Sequence, residues 1–357
     1  MNRAEEMQGK VNKVRALLQE KGAQGMLIGQ QSNFSWITAG GRGFLGLASV
    51  NACAQVLVTH QDVFLLTNNI ESGRLMEEEL PGLPIKAHSV PWQQDSQLGL
   101  AAQQLANGAV LQDTQESAWF LGQRTSLQDE EVSRFRALCA EHAQAVEGVI
   151  LRLTPSVSEF EVAGAVSEAL WERGIEPISL FIAADDRISR VRHFIPTRKK
   201  AIRQIAVSGC ARRHGLVSSM TRMVSFGAPS TELKVHHEKL LQVEAAGWAA
   251  LTPGAPLSDA YQAMCRMYQR LDMPQEWNNH HQGGVTGYQA REVRMQDQTD
   301  FPVAWNQVFA FNPSCPYAKT EDMVLLGKEG IELLTSPTPM WPTLQAAGHQ
   351  RADILVL

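Results

Sequence analysis

Apolar residues recur at helical spacing near the start of the chain. Val11, Val14, Leu17 and Leu18 fall on one face of residues 8–21, and Gly22 is placed to end the helix. A short buried strand, Gly25-Met-Leu-Ile28, follows, then a polar loop and Phe34-Ser-Trp-Ile37. The apolar runs Ala54–Val58 and Val63–Thr67 flank Thr59-His-Gln-Asp62 and predict a β-hairpin. Glu71–Leu80 reads as helical. Strands alternating with helices predict a layered α/β unit to about Gln123.

The pattern changes at Ser126. Ser126 with Asp129 suggests a capping box, and Val132, Phe135, Leu138, Val146 and Val149 then repeat at helical spacing. Ser158 with Glu161 opens another helix, with Val162, Val166 and Leu170 inside and Gly174 at its end. Leu180–Ala183, Ile202–Gly209, Gly215–Phe226 and Gln307–Phe311 look extended, and His236–Ala250 and Asp259–Leu271 look helical. The second part is therefore α+β, a largely antiparallel sheet with helices on one face. Trp171, Met264 and Met267 sit at core spacing, whereas His236-His237-Glu238 falls on a polar helix face. No repeat of solenoid period is present. The expected domains are 1–125 and 126–357.

Composition narrows the function classes. The 357 residues exceed one ordinary core, and 44% are apolar, enough for two interiors. A net charge of -5 with both signs interspersed argues against nucleic-acid and anionic-membrane partners. No apolar run approaches the roughly 20 residues needed to span a bilayer. The polar, charged N-terminus lacks the apolar segment of a cleavable signal. The five cysteines are scattered without metal-ligand spacing, as in reduced cytoplasmic proteins.

Chemistry concentrates in Asn279–Glu292, N-H-H-Q-G-G-V-T-G-Y-Q-A-R-E. His280 and His281 can move protons near neutral pH. Gly283, Gly284 and Gly287 allow close backbone approach. Arg291 offers a planar fork for a carboxylate, and Glu292 a base or counter-charge. A second cluster, Asn312-Pro-Ser314 and Lys319-Thr-Glu321-Asp322, directly precedes the apolar Met323–Leu326, as a strand end delivering side chains into a pocket would. Arg222 suits a buried structural pair better than a ligand contact.

The order of elements resembles the creatinase, prolidase and Xaa-Pro aminopeptidase family, the M24 peptidases of pita-bread fold. That resemblance implies an α/β N-terminal domain followed by an α+β pita-bread domain. In active family peptidases two metal ions are held by two Asp, one His and two Glu. Val207–Arg212 matches the family's D-x-G-A-R strand with Ser208 at the first Asp, and Gly215–Arg222 matches G-Y-x-S-D-x-T-R with Ser219 at the second. The glycine-rich segment matches G-H-G-x-G with Gly284 at the His, although a shifted alignment offers His281. Phe309–Pro313 matches F-x-x-E-P with Asn312 at a Glu, and Glu321 alone survives as a ligand. Serines, a glycine and a carboxamide cannot offset the mutual repulsion of two dications about 3.5–4 Å apart. The resemblance therefore implies no metal and no cofactor here.

His193, in Arg192-His-Phe-Ile-Pro-Thr197, matches the H-x-x-P segment that lines the family's substrate pocket. Creatinase, of the same fold, hydrolyses a small C–N compound without metal through such a histidine and acidic side chains. The expected catalytic residues are His193, His281, Glu292 and Glu321. The expected substrate contacts are His280, Tyr288, Arg291, Asn312 and Lys319. The expected activity is that of a metal-independent hydrolase or lyase acting on a small carboxylated or nitrogen-containing compound through His and Glu. Two alternatives stand: an Xaa-Pro metallopeptidase, and a catalytically silent binding protein. A homodimer follows from the resemblance alone.

Overall fold

Asn2 caps the first helix, so α1 (Arg3–Lys21) begins earlier than its apolar spacing predicts. The Asn2 side chain accepts the Glu5 N–H, and Glu5 accepts the Asn2 N–H at 2.8 Å. Val11, Val14, Leu17 and Leu18 are all buried, and Gly22 ends the helix at φ 64°. The computed structural model describes residues 2–346 and 348–357. Backbone proximity divides the chain into two compact units. One runs to Arg124 and includes the turn His214–Leu216; the other holds Thr125–Arg213 and Val217–Leu357.

The first unit continues with β1 (Gly25–Gln30), α2 (Gln31–Ile37), β2 (Asn51–Thr59), β3 (Val63–Asn68) and a single turn, α3 (Ser72–Arg74). Then come β4 (Lys86–Val90), α4 (Leu98–Ala106), β5 (Val110–Gln112) and α5 (Ser117–Thr125). Its sheet has the order β4-β3-β2-β1-β5, mixed in direction, with β1–β5 and β3–β4 parallel. The predicted hairpin forms, Leu57 opposite Phe64. The helix expected over Glu71–Leu80 is reduced to α3 and one wide turn, Leu75–Glu79.

The second unit opens on α6 (Asp129–Ile150), whose cap is Gln128 and not Ser126. The Gln128 N–H donates to Glu131 at 2.8 Å, while Ser126 is exposed. Next come α7 (Glu159–Trp171), capped by Ser158 with Glu161 as its spacing predicts, then β6 (Glu176–Ala184) and α8 (Arg187–Arg190). Strands β7 (Gln204–Arg213) and β8 (Leu216–Ser225) follow, then α9 (Thr231–Ala249) and α10 (Ser258–Arg270). His214 and Gly215 join β7 to β8 with φ 53° and 78°, the left-handed pair that a two-residue hairpin turn requires. The remaining strands are β9 (Gly283–Thr286), β10 (Val293–Arg294), β11 (Gln307–Phe311), β12 (Asp322–Gly327), β13 (Gly330–Leu333), β14 (Thr343–Ala346), β15 (His349–Ala352) and β16 (Leu355–Val356).

Two sheets of this unit, β16-β8-β7-β6 and β10-β9-β11-β12-β13, meet where Thr221 pairs with Glu321. Their shared core holds Phe309, Phe311, Trp248, Met264 and Tyr268. Strand alternation divides the adjacent acids: Glu321 faces one side and Asp322 the other. Asp322 joins a buried network in which Arg222 donates to Glu147 at 2.6 Å and to Asp322 at 3.2 Å. Arg222 is thus structural. Two expectations about single residues fail. Trp171 is 47% exposed, and His237 is buried with Nε2 3.2 Å from the Ala352 carbonyl.

Candidate functional site

The segment leading into β12 delivers Lys319 and Glu321 into a cavity of about 420 Å³. Strand β7 lines it with Ser208 and Cys210, and the facing strand β8 places Thr221 and Ser219 in contact with them, through the alternation that points every second residue to one side. His193 enters from the segment after α8. Arg192 is fixed there by Glu276 at 3.0 Å, and Phe194 is buried in the core. The turn between β9 and β10 supplies Arg291, and β10 itself Arg294.

Glu321 is the only acid among the described residues lining this cavity, and two cations hold it. Arg291 donates to Oε1 at 2.7 Å, and Lys319 Nζ lies 3.6 Å from Oε2. Ser208 Oγ accepts from Lys319 at 3.0 Å and from Thr221 at 2.8 Å. Lys319 lies between the faces of Phe181 and Phe194, 5.8 and 5.5 Å from their centroids. Burial alone would raise the Glu321 pKa, but Lys319 and Arg291 hold it below the ordinary carboxylate value. Burial lowers the Lys319 pKa, and Glu321 opposes that shift.

Three imidazoles converge beside the ion cluster. The Nε2 atoms of His193 and His280 are 3.3 Å apart, and the His280 and His281 ring centroids 4.5 Å. His280 Nδ1 faces the Asn312 carbonyl at 3.2 Å. Burial is the first cause lowering each pKa, and the neighbouring cations add to it. His281 falls to about 4, with Arg291 next in weight, and His280 to about 2, with Lys319 next. His193, the most exposed, is lowered in the same sense, by burial and then Lys319. All three are therefore neutral at pH 7, and His193, the least buried, is the one best able to accept a proton. Each offers a nitrogen within 4.8 Å of the others, close enough to share one metal ion. Burial is what chiefly keeps them neutral, and the neighbouring Lys319 and Arg291 would oppose a bound cation.

Of the expected site residues, His193, His281, Arg291, Asn312, Lys319 and Glu321 line one cavity. His280 stands behind His193 as a buried support. Glu292 and Tyr288 are corrections. Glu292 folds back to accept the Tyr288 N–H at 2.9 Å, closing the turn after β9, and the Tyr288 hydroxyl donates to buried Glu131 at 2.6 Å. Neither reaches the cavity, because the turn that presents Arg291 curls both side chains away. Arg294 was missed. It lines the cavity, is exposed, and has no acidic partner among the described residues. The available signal was a basic residue directly after apolar Val293, opposite a glycine in β9.

The donor set does not fit a pair of divalent ions. Ser208 and Ser219 are neutral and engaged with Lys319 and Arg291 respectively, the latter at 3.4 Å. Gly284 has φ 151°, and a Cβ there would lie 1.9 Å from the Val293 carbonyl oxygen, so no histidine can occupy this position. Asn312 Oδ1 is buried and unpartnered, a neutral acceptor where a carboxylate would be needed. One carboxylate already shared by two protein cations cannot neutralise two metals.

Comparison with known proteins gives a consistent family. A description of metallopeptidase family M24 matches residues 133–333. An uncharacterized peptidase of Staphylococcus aureus (strain MW2) is 25% identical over 219 residues, 58% of this chain and 61% of that protein. The chain thus spans less than two thirds of that curated relative. Among solved structures, the prolidase from Pyrococcus horikoshii OT3 superposes with TM-score 0.75 at 19% identity, covering 93% of this chain and 99% of that one. The X-Pro aminopeptidase from Thermotoga maritima MSB8 gives TM-score 0.73 at 16% identity, covering 97% and 99%. These likenesses establish the fold: an α/β N-terminal domain and an α+β pita-bread domain.

Proposed function

The chain belongs to metallopeptidase family M24, and we propose that it works on that fold as a metal-independent hydrolase or lyase of a small carboxylated or nitrogen-containing compound. The observation that carries this reading is the Lys319–Glu321–Arg291 cluster. Two side-chain cations are engaged with Glu321, the one carboxylate that the resemblance leaves at the family's metal-ligand positions. Without a metal-bound water, a side chain must activate water or substrate. Glu321 is a weak base, because both cations stabilise its charged form. The neutral imidazole of His193 at the cavity wall is better matched to accepting a proton near pH 7 than Glu321 or than His281, whose pKa burial lowers to about 4.

His193 is the first candidate for that role and His281 the second. His193 is the more exposed, and its Nε2 meets His280 Nε2, which can steady the ring while a proton moves. Arg291 and Lys319 would orient an anionic group of the substrate. No membrane-crossing role is indicated, since no helix among the described residues is long and apolar enough to span a bilayer.

The test is a turnover screen of amino acids, guanidino compounds, sugar-derived amines and small carboxylic acids, using chelator-treated protein. Turnover should survive chelation and fall by about 100-fold or more in His193→Ala, within the range of general acid–base catalysis. Its pH profile should keep full activity to below pH 6.5, since the lowered His193 pKa keeps the base form populated there. Turnover of Xaa-Pro peptides that requires added Mn, Co or Zn would establish the metallopeptidase reading instead. Undiminished turnover in both His193→Ala and His281→Ala would eliminate the histidine mechanism.

A further inference from the structure

The cavity carries three cations against one carboxylate. Arg291 and Lys319 are engaged with Glu321, but Arg294 stands at the wall without an acidic partner among the described residues. Its charge acts on both His193 and His281, so it lies near the proposed reacting groups. Three buried polar atoms of cavity-lining residues have no partner among the described residues: His281 Nδ1, Arg291 Nε and Asn312 Oδ1. Arg291 Nε is a donor without an acceptor, and Asn312 Oδ1 is an acceptor without a donor. Asn312 is only 3% exposed, so its Oδ1 is a buried acceptor that a ligand donor in the cavity would satisfy. The imidazoles beside them are neutral and do not supply the missing negative charge.

We propose that this cavity is an oxyanion site for a small acid bearing two negative charges, clamped by Arg294 and Arg291 Nε, with a hydroxyl or amine of the ligand donating to Asn312 Oδ1. A dianion would neutralise the excess of cations, which in a partly desolvated cavity act strongly on charge. A guanidinium matches carboxylate and phosphate oxygens with its planar fork. A cavity of about 420 Å³ admits a small metabolite-sized acid and not a folded partner. Dicarboxylates and phosphate monoesters share the required chemistry. The inference rests on the proposed function for the identity of the pocket, but it concerns binding and does not depend on which residue moves a proton.

Isothermal titration of the full chain at low ionic strength tests it, with malate, succinate, lactate, glycerol phosphate and the neutral succinamide as probes. Malate should bind at least about tenfold more tightly than lactate, since it adds one charged contact. It should also bind several-fold more tightly than succinate, which lacks the donor for Asn312. Arg294→Gln should remove about tenfold of the dianion affinity and leave lactate within twofold. Glycerol phosphate binding above or below malate names the phosphate or the dicarboxylate as the source, and either order supports the proposal. Dianions that bind no better than succinamide would overturn it, as would an Arg294→Gln variant that is folded by circular dichroism and binds malate as the wild type does. His193→Gln separates the two readings. Dianion binding retained in this variant, with no turnover found in the wild type, leaves the oxyanion site standing and the hydrolase reading refuted. Histidine-dependent turnover of an uncharged compound, with no dianion binding, does the reverse.

Discussion

Gly284→Ala places a methyl group where the structure has no room. The residue has φ 151°, and the new Cβ would lie 1.9 Å from the Val293 carbonyl oxygen and 3.0 Å from the Arg294 Cα. Both atoms belong to β10, which pairs with β9 through only Val293↔Val285 and Arg294↔Gly284. The backbone strain of a side chain at that φ costs about 1–3 kcal/mol. Overpacking against a main-chain oxygen costs about 1–3 kcal/mol more. The expected destabilisation is about 4 kcal/mol, relieved in part by β10 separating from β9. Urea denaturation followed by circular dichroism measures it. Gly148→Ala in α6 is the control, since its Cβ would meet nothing within 4 Å. That substitution should stabilise by about 0.5–1 kcal/mol, the helix-propensity difference. Because β10 carries Arg294, Gly284→Ala should also weaken dianion binding. A Gly284→Ala protein within about 0.5 kcal/mol of the wild type would refute the reasoning, and with it the claim that this position excludes a metal-binding histidine.

Protein purified without chelator should contain well below one equivalent of Mn, Co, Zn or Fe by elemental analysis; a stoichiometric ion that is lost in Glu321→Gln would contradict the reading of the ion cluster. The pKa of His280 in the folded chain is about 2, below its ordinary 6.5, so the folded state binds fewer protons than the unfolded one. Its contribution is fully present above pH 6.5 and is lost as pH falls below that value, by up to about 1.4 kcal/mol per pH unit. The unfolding midpoint of the wild type should therefore drop more between pH 7 and pH 5 than that of His280→Gln, and parallel drops would count against the burial argument. Light scattering at micromolar concentration should give the mass of a homodimer, and a monomer mass would remove that expectation.

Local pattern determined much of this protein. The face formed by Val11, Val14, Leu17 and Leu18, the Ser158–Glu161 cap and the strand spacing after Ile175 were legible because helix and strand periods are set by a few neighbouring residues. The family was legible too, since Gly, Ser, Thr and Arg persist around Ser219 while the ligand itself is changed. The residues expected at four of the family's ligand positions, Ser208, Ser219, Gly284 and Asn312, could be read motif by motif. What the sequence could not decide was which charges face one another. Glu292 and Arg291 are adjacent, yet one closes a turn and the other reaches Glu321, because a tight turn sends consecutive side chains in opposite directions. Lys319 could bridge to Glu321 or reach for substrate. Only the tertiary packing of Phe181 and Phe194 places it beside the carboxylate. Arg294 drew no notice in the sequence, because its proposed role comes from lacking an acidic partner among the described residues, and that depends on every segment folded around it. Residues far apart in the chain make the site, and their pairing is fixed by the meeting of two sheets at Thr221 and Glu321.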